Sequence, residues 1–119
     1  MFLDENFKRF EAEVMQRIIE ESLPESAILE EQYRCAKIVS REFTGFGFFT
    51  KFEVANKNLQ IPARSNSHLG RVQAKIEGLE YGAGFVLFVK DGFISLLEGY
   101  CYGNEPWPDE ITAYTLEYQ

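Results

Sequence analysis

The chain has 119 residues, 45% of them hydrophobic and 26% charged, a balance that fits one folded domain with a single core and lies away from the composition of disordered chains. Its net charge of −7 repels the nucleic-acid backbone and anionic lipid over most of the surface, because both associations rest on Lys and Arg neutralising phosphate. Eleven Phe, six Tyr and one Trp supply more ring area than one small core needs.

A single domain over residues 1–119 is therefore expected, with neither nucleic acid nor membrane as partner. The charge is unevenly spread. Residues 1–31 hold nine acids against three bases, residues 32–96 five against nine, and residues 97–119 five acids and no base. Such acidic ends favour a protein partner of basic charge. The N-terminal stretch breaks its apolar residues with charges, unlike a signal peptide, and no segment approaches the roughly 20 apolar residues of a membrane span. Cys35 and Cys101 stand apart without a CxxC or Cys/His grouping. Two free thiols in a cytoplasmic setting follow as the expectation, buried and inert among their apolar and aromatic neighbours.

In chain order, Phe7, Phe10, Val14, Ile18 and Ile19 keep the three-and-four spacing of one helical face, which predicts a helix from Asp4 to Ser22 ended by Pro24. A shorter helix follows from Glu25 to about Arg34. From Ala36 the period becomes two. "AKIVSREF" and "FFTKFEV" read as strands joined through the glycines of "TGFG", with Phe48, Thr50, Phe52 and Val54 on one side and Phe49, Lys51 and Glu53 on the other. Residues 55–70 show little periodicity and read as a long loop, functional or poorly ordered. "RVQAKIEG" alternates cleanly. "FVLFVK" and "FISLLEGY" flank Asp91-Gly92, the signal for a tight hairpin, and the first is apolar on both faces, which suits the middle of a sheet. "ITAYTLEY" closes the series. Helices first and strands afterwards predict an α+β fold, one or two N-terminal helices on a mainly antiparallel sheet of five to six strands in two layers.

No stretch carries a reaction-specific motif. "TGFGFFT" has the spacing of neither a phosphate loop nor a dinucleotide fingerprint, so no cofactor is expected, and its glycines read as a turn. His68, the single histidine, sits in a polar stretch. Glu105, Asp109 and Glu110 lack the register of a calcium loop, and no metal is expected. Glu98 is the sharpest candidate: it ends an apolar strand, by alternation shares a face with Ile94, Leu96 and Tyr100, and so needs a partner. Pairing with Arg41 would make a structural ion pair; facing Glu42 would let two carboxylates share a proton as acid and base. If the helices cover one sheet face, the remaining rings need cover on the other, which nominates Phe46, Phe48, Phe49, Phe52, Tyr100 and Trp107 for binding, to a partner or to a second copy as a homodimer. Trp107, held between Pro106 and Pro108, is either a plug over the core or an anchor for a partner.

The stretches "REFTGFGFFTKF", "GLEYGAGFVLFVKDG" and "LEGYCYGNEPWPDE" resemble segments of small bacterial single-domain proteins with no assigned activity. That resemblance implies a bacterial, cytosolic single domain and carries over no site residue. The functional expectation is an acidic interaction domain, immunity-protein-like or an accessory factor, acting through an aromatic-rich sheet face. Two alternatives stand beside it: a small hydrolase using Glu98 with Arg41 or Glu42, and a small-ligand binder with a phenylalanine-lined pocket.

Overall fold

The structure, a computed structural model, describes residues 5–61 and 66–118. Two helices, α1 (Glu5–Glu20) and α2 (Ser26–Cys35), precede six strands: β1 (Lys37–Phe43), β2 (Gly47–Glu53), β3 (Asn66–Ile76), β4 (Ala83–Lys90), β5 (Phe93–Cys101) and β6 (Tyr114–Tyr118). All pairings are antiparallel, and the order across the sheet is β1-β2-β5-β4-β3-β6. Both helices pack on one face of this sheet. The fold is the expected two-layer α+β arrangement, with β4 inside it.

The helical period explains α1. Phe7, Phe10, Glu11, Val14, Met15, Ile18 and Ile19 are all buried, one stripe three and four residues apart that removes its apolar surface from water. The helix is shorter than expected at its C-terminal end, and Asp4, where it was expected to begin, lies outside the described residues. In the sheet, alternation turns Phe48, Thr50 and Phe52 of β2, Val72 and Ala74 of β3, and Ala83, Phe85 and Leu87 of β4 toward the helices. Their common core is closed at one end by Trp107, buried and edge-on to Phe48 at a centroid distance of 5.2 Å. Trp107 is thus the plug, fixed by its backbone N–H donating to the Gly45 carbonyl at 2.8 Å.

Two irregularities correct the sequence reading. β3 begins at Asn66, so the last five residues of the expected loop, 66–70, belong to a strand of 11. A register shift between Leu69 and Val72 changes the parity of the strand there, which is why one uninterrupted alternation finds only "RVQAKIEG". The described remainder of the expected loop is pinned to α2. Gln32, fully buried, donates to the carbonyls of Leu59 (2.6 Å) and Gly92 (2.9 Å), and its carbonyl accepts from the Ile94 N–H at 2.8 Å.

Candidate functional site

The sheet face away from the helices is the surface on which the expected site residues can be judged. Strand register orders it in rows. Glu42, Phe49, Glu98 and Val86 make one row across β1, β2, β5 and β4; Ser40, Lys51, Leu96 and Phe88 make the next, and His68 extends that row onto β3. On the other side of Glu98, Tyr100 lies between Gly47 and Gly84. Glu98 thus occupies the centre of a patch of Phe49, Val86, Leu96 and Tyr100, all half-buried, with Phe88 at its margin 36% exposed. No salt bridge reaches Glu98 among the described residues.

Glycines shape this patch on both sides of the sheet. A Cβ on Gly84 would stand 2.5 Å from the Tyr102 Oη and 2.8 Å from the Tyr100 Oη, so only a bare Cα lets both phenols lie down over β4. The two rings meet edge to face at 5.7 Å. On the helix side the Phe48 ring occupies the space a side chain at Gly99 would need. The "LEGYC" run therefore alternates one ring over glycine on each face.

The expected partners of Glu98 lie elsewhere. Arg41 is on the helix face, its Nη2 donating to Glu11 Oε1 at 2.7 Å and its Nε to Glu11 Oε2 at 3.2 Å, while the Thr50 hydroxyl donates to the same carboxylate. The Arg41–Glu98 ion pair is not formed, because adjacent residues of β1 point to opposite faces. Glu42 does share the face of Glu98, but Phe49 and its strand stand between them. Two strand spacings of about 4.8 Å separate their backbones by roughly 10 Å, too far for two carboxylates to share a proton without moving. Ile94, expected beside Glu98, is buried under the helices. Val89 pairs with Ile94 and Phe88 with Leu96, so Ser95 is an extra residue that reverses the parity between Ile94 and Leu96.

The expected binding set is divided by the fold. Phe48, Phe52 and Trp107 are core residues and present no surface, whereas Phe49 and Tyr100 belong to the open face and Phe46, at the β1–β2 turn, is 56% exposed. Phe48 and Phe52 line the core rather than a pocket, packing against Phe7, Phe85, Trp107 and Tyr33. Sequence reading missed Val86, Phe88 and Tyr102. The first two were legible as the second face of "FVLFVK", but only sheet order shows that this face is uncovered.

Other candidates resolve into structural roles. The Glu105 carboxylate accepts from the backbone N–H of Tyr81 (2.8 Å) and Glu80 (3.0 Å), closing the β3–β4 turn. Cys101 is buried, and burial together with the nearby Glu105 charge pushes its thiol up to about 11. Cys35, in the last turn of α2, is exposed rather than buried, its thiol donating to the Gln32 carbonyl at 3.6 Å. His68 lies beside Phe88, ring centroids 6.3 Å apart.

No protein-family model, curated protein or solved structure matches the chain. Among the described residues no helix is long and apolar enough to cross a membrane.

Proposed function

We propose that this protein is an interaction domain that docks another protein on its open sheet face, the partner setting an apolar surface on Phe49, Val86, Leu96 and Tyr100 and a Lys or Arg on Glu98. One observation carries the reading: a half-buried carboxylate, without a salt-bridge partner among the described residues, stands in the middle of an apolar patch on the sheet face that neither helix covers. Apolar docking alone would desolvate that charge at a cost, and a partner's cation offsets it while selecting which surface fits. A second copy of the chain fits less well. A two-fold axis near the centre of the patch would bring Glu98 against Glu98.

The test uses the intact protein, Phe49→Asp and Glu98→Lys as immobilised baits in extract of the native cell at low salt, with light scattering to establish oligomeric state. A stoichiometric partner held by the wild type and lost from both variants is the expected result, with Glu98→Gln weakening the purified complex about tenfold or more. A monomeric wild type that retains no partner distinguishable from those of the variants would sink the reading. A dimer abolished by Phe49→Asp would replace the foreign partner with a second copy.

A further inference from the structure

Toward the β4–β5 hairpin, beyond the apolar patch around Glu98, the sheet carries polar groups that neither the core nor the strand ladder uses. A cleft of about 400 Å³ there has Ser67 and His68 of β3, Phe88 and Lys90 of β4, and Ser95 and Leu96 of β5 in its walls. Register brings them together. Phe88 pairs with His68 on one side and with Leu96 on the other, and Lys90 follows Phe88 by two residues and so shares its face. The backbones of His68, Lys90 and Leu96 therefore stand within roughly 7 Å of that of Phe88.

Two features distinguish this cleft from a gap between side chains. Ser95 is the extra residue of β5, with a register partner on neither β2 nor β4, and bulges of this kind re-aim a side chain where a site is built. Among the described residues no hydrogen bond or salt bridge engages the side chains of Ser67, His68, Lys90 or Ser95. The Phe88 and His68 rings are tilted by 50° at a centroid distance of 6.3 Å rather than stacked. Ring area on the exposed Phe88 is left uncovered.

The chemistry of the walls narrows the occupant. Their polar side chains are an ammonium, an imidazole and two hydroxyls, with no carboxylate among them. Such a set is rich in donors, so the polar end of a ligand must accept. The nearest acids stand off: Glu98 pairs with Val86, four residues or roughly 13 Å along β4 from Lys90, Glu53 lies opposite Lys37, and Asp91 in the turn forms no salt bridge with Lys90. A single lysine on a chain of net charge −7 matches the one charge of a carboxylate better than the nearly two of a phosphate monoester. The uncovered ring beside it favours a planar group.

We infer that this cleft binds a small aromatic carboxylate, its ring laid on Phe88 and its anion held by Lys90 and the hydroxyl of Ser95. The volume lies in the range of roughly 300–1,000 Å³ that small ligands occupy, and an apolar wall with a few polar groups that fix orientation is their usual setting. The inference does not rest on a protein docking at Glu98, although the two surfaces share Leu96.

The experiment titrates the isotope-labelled full-length protein with benzoate, cinnamate and naphthoate, each beside its neutral amide, and with inorganic phosphate, following amide NMR shifts. The expected result is saturable binding of the acids with shifts at residues 67–69, 88–90 and 95–96, the amides binding at least about threefold more weakly. Lys90→Glu and Phe88→Ala should each weaken the acids at least about threefold. Circular dichroism checks folding, and Phe88→Leu serves as the milder variant should the alanine unfold. No saturable binding, acid and amide bound alike, unchanged affinity in Lys90→Glu, a response to phosphate as strong as to the acids, or shifts centred on Phe49 and Glu98 would overturn the inference. Failure to find a protein partner for the open face leaves each of these outcomes unaffected.

Discussion

At the scale of single residues, the least forgiving group is the buried carboxylate of Glu11. It is 2% exposed and held by Arg41 and by the fully buried Thr50, and Tyr33 beside it has its hydroxyl pushed up by burial first and by the Glu11 charge second, against the opposing pull of Arg41. Removing Arg41 leaves an uncompensated charge inside the protein. Arg41→Ala should destabilise by about 3–5 kcal/mol, a large part of the roughly 5–15 kcal/mol of a typical domain, and adding Glu11→Gln should recover part of it; urea unfolding of the two variants measures both. Glu11 was not legible as buried, because a glutamate on a helix ordinarily belongs to the solvated side. The signal was positional only, since it falls next to Phe10 and one turn before Val14 and Met15.

Tyr114 carries a pH dependence whose sign follows from its surroundings. Burial, the hydrogen bond to Glu13 and the Glu13 charge, opposed by Arg9, push its hydroxyl from 10.0 up to about 12. The folded state therefore holds the proton more tightly than the unfolded chain. Its contribution is complete below pH 10 and fades as pH rises from about 10 to about 12. The melting temperature should fall across that window, and less steeply in Tyr114→Phe; parallel profiles for the two proteins would assign the fall to other groups.

At the scale of elements, the β4–β5 hairpin was readable from two residues. Asp91 (φ 53°) and Gly92 (φ 83°) both adopt positive φ, the primed turn that the right-handed twist of paired strands favours. Position 92 has a second constraint that no turn rule contains: a Cβ there would come within 2.7 Å of Gln60 Cγ and 2.8 Å of the Ile61 carbonyl. Gly78 has a comparable φ of +101° and nothing within 4 Å. Gly78→Ala should cost about 1 kcal/mol from backbone strain alone, and Gly92→Ala clearly more, about 2–3 kcal/mol with the clash. Equal unfolding midpoints for the two would show that the packing around Gly92 yields freely. Gln32 makes the complementary point: a polar residue in "EEQYR" reads as solvated, yet it joins α2 to the hairpin and to Leu59 because three backbone groups converge on it.

At the scale of the whole molecule, the segmental charge pattern becomes an asymmetry between layers. The acidic first segment folds as the helix layer, while the middle segment builds most of the open face, where alternation puts Lys51, Arg71, Lys75 and Lys90 on the same side of the sheet as Glu42 and Glu98. On the proposed reading, a partner for that face therefore needs one base at Glu98 rather than a basic surface throughout. Trp107 reports on the joining of the layers, since it touches Phe10 of α1 and Phe48 of β2. Its fluorescence should be blue-shifted in the native protein and move to the red together with the loss of far-ultraviolet helix signal. A tryptophan transition that precedes the helix signal would mean that the 103–110 connection opens before the core.

The sequence by itself determined the helices, the six strands, the tight hairpin and the two-layer class, because periods of 3.6 and 2 and the turn residues act over a few neighbours. Strand order, the extra residue at Ser95, the pairing of Arg41 with Glu11 and the burial of Trp107 were decided by the tertiary structure alone. Each depends on residues far apart in the chain, and a single inserted residue in a strand reverses every side chain beyond it. For that reason Glu98 could be singled out from sequence as a carboxylate in need of a partner, while only the assembled sheet shows it on an uncovered face with Arg41 on the other side.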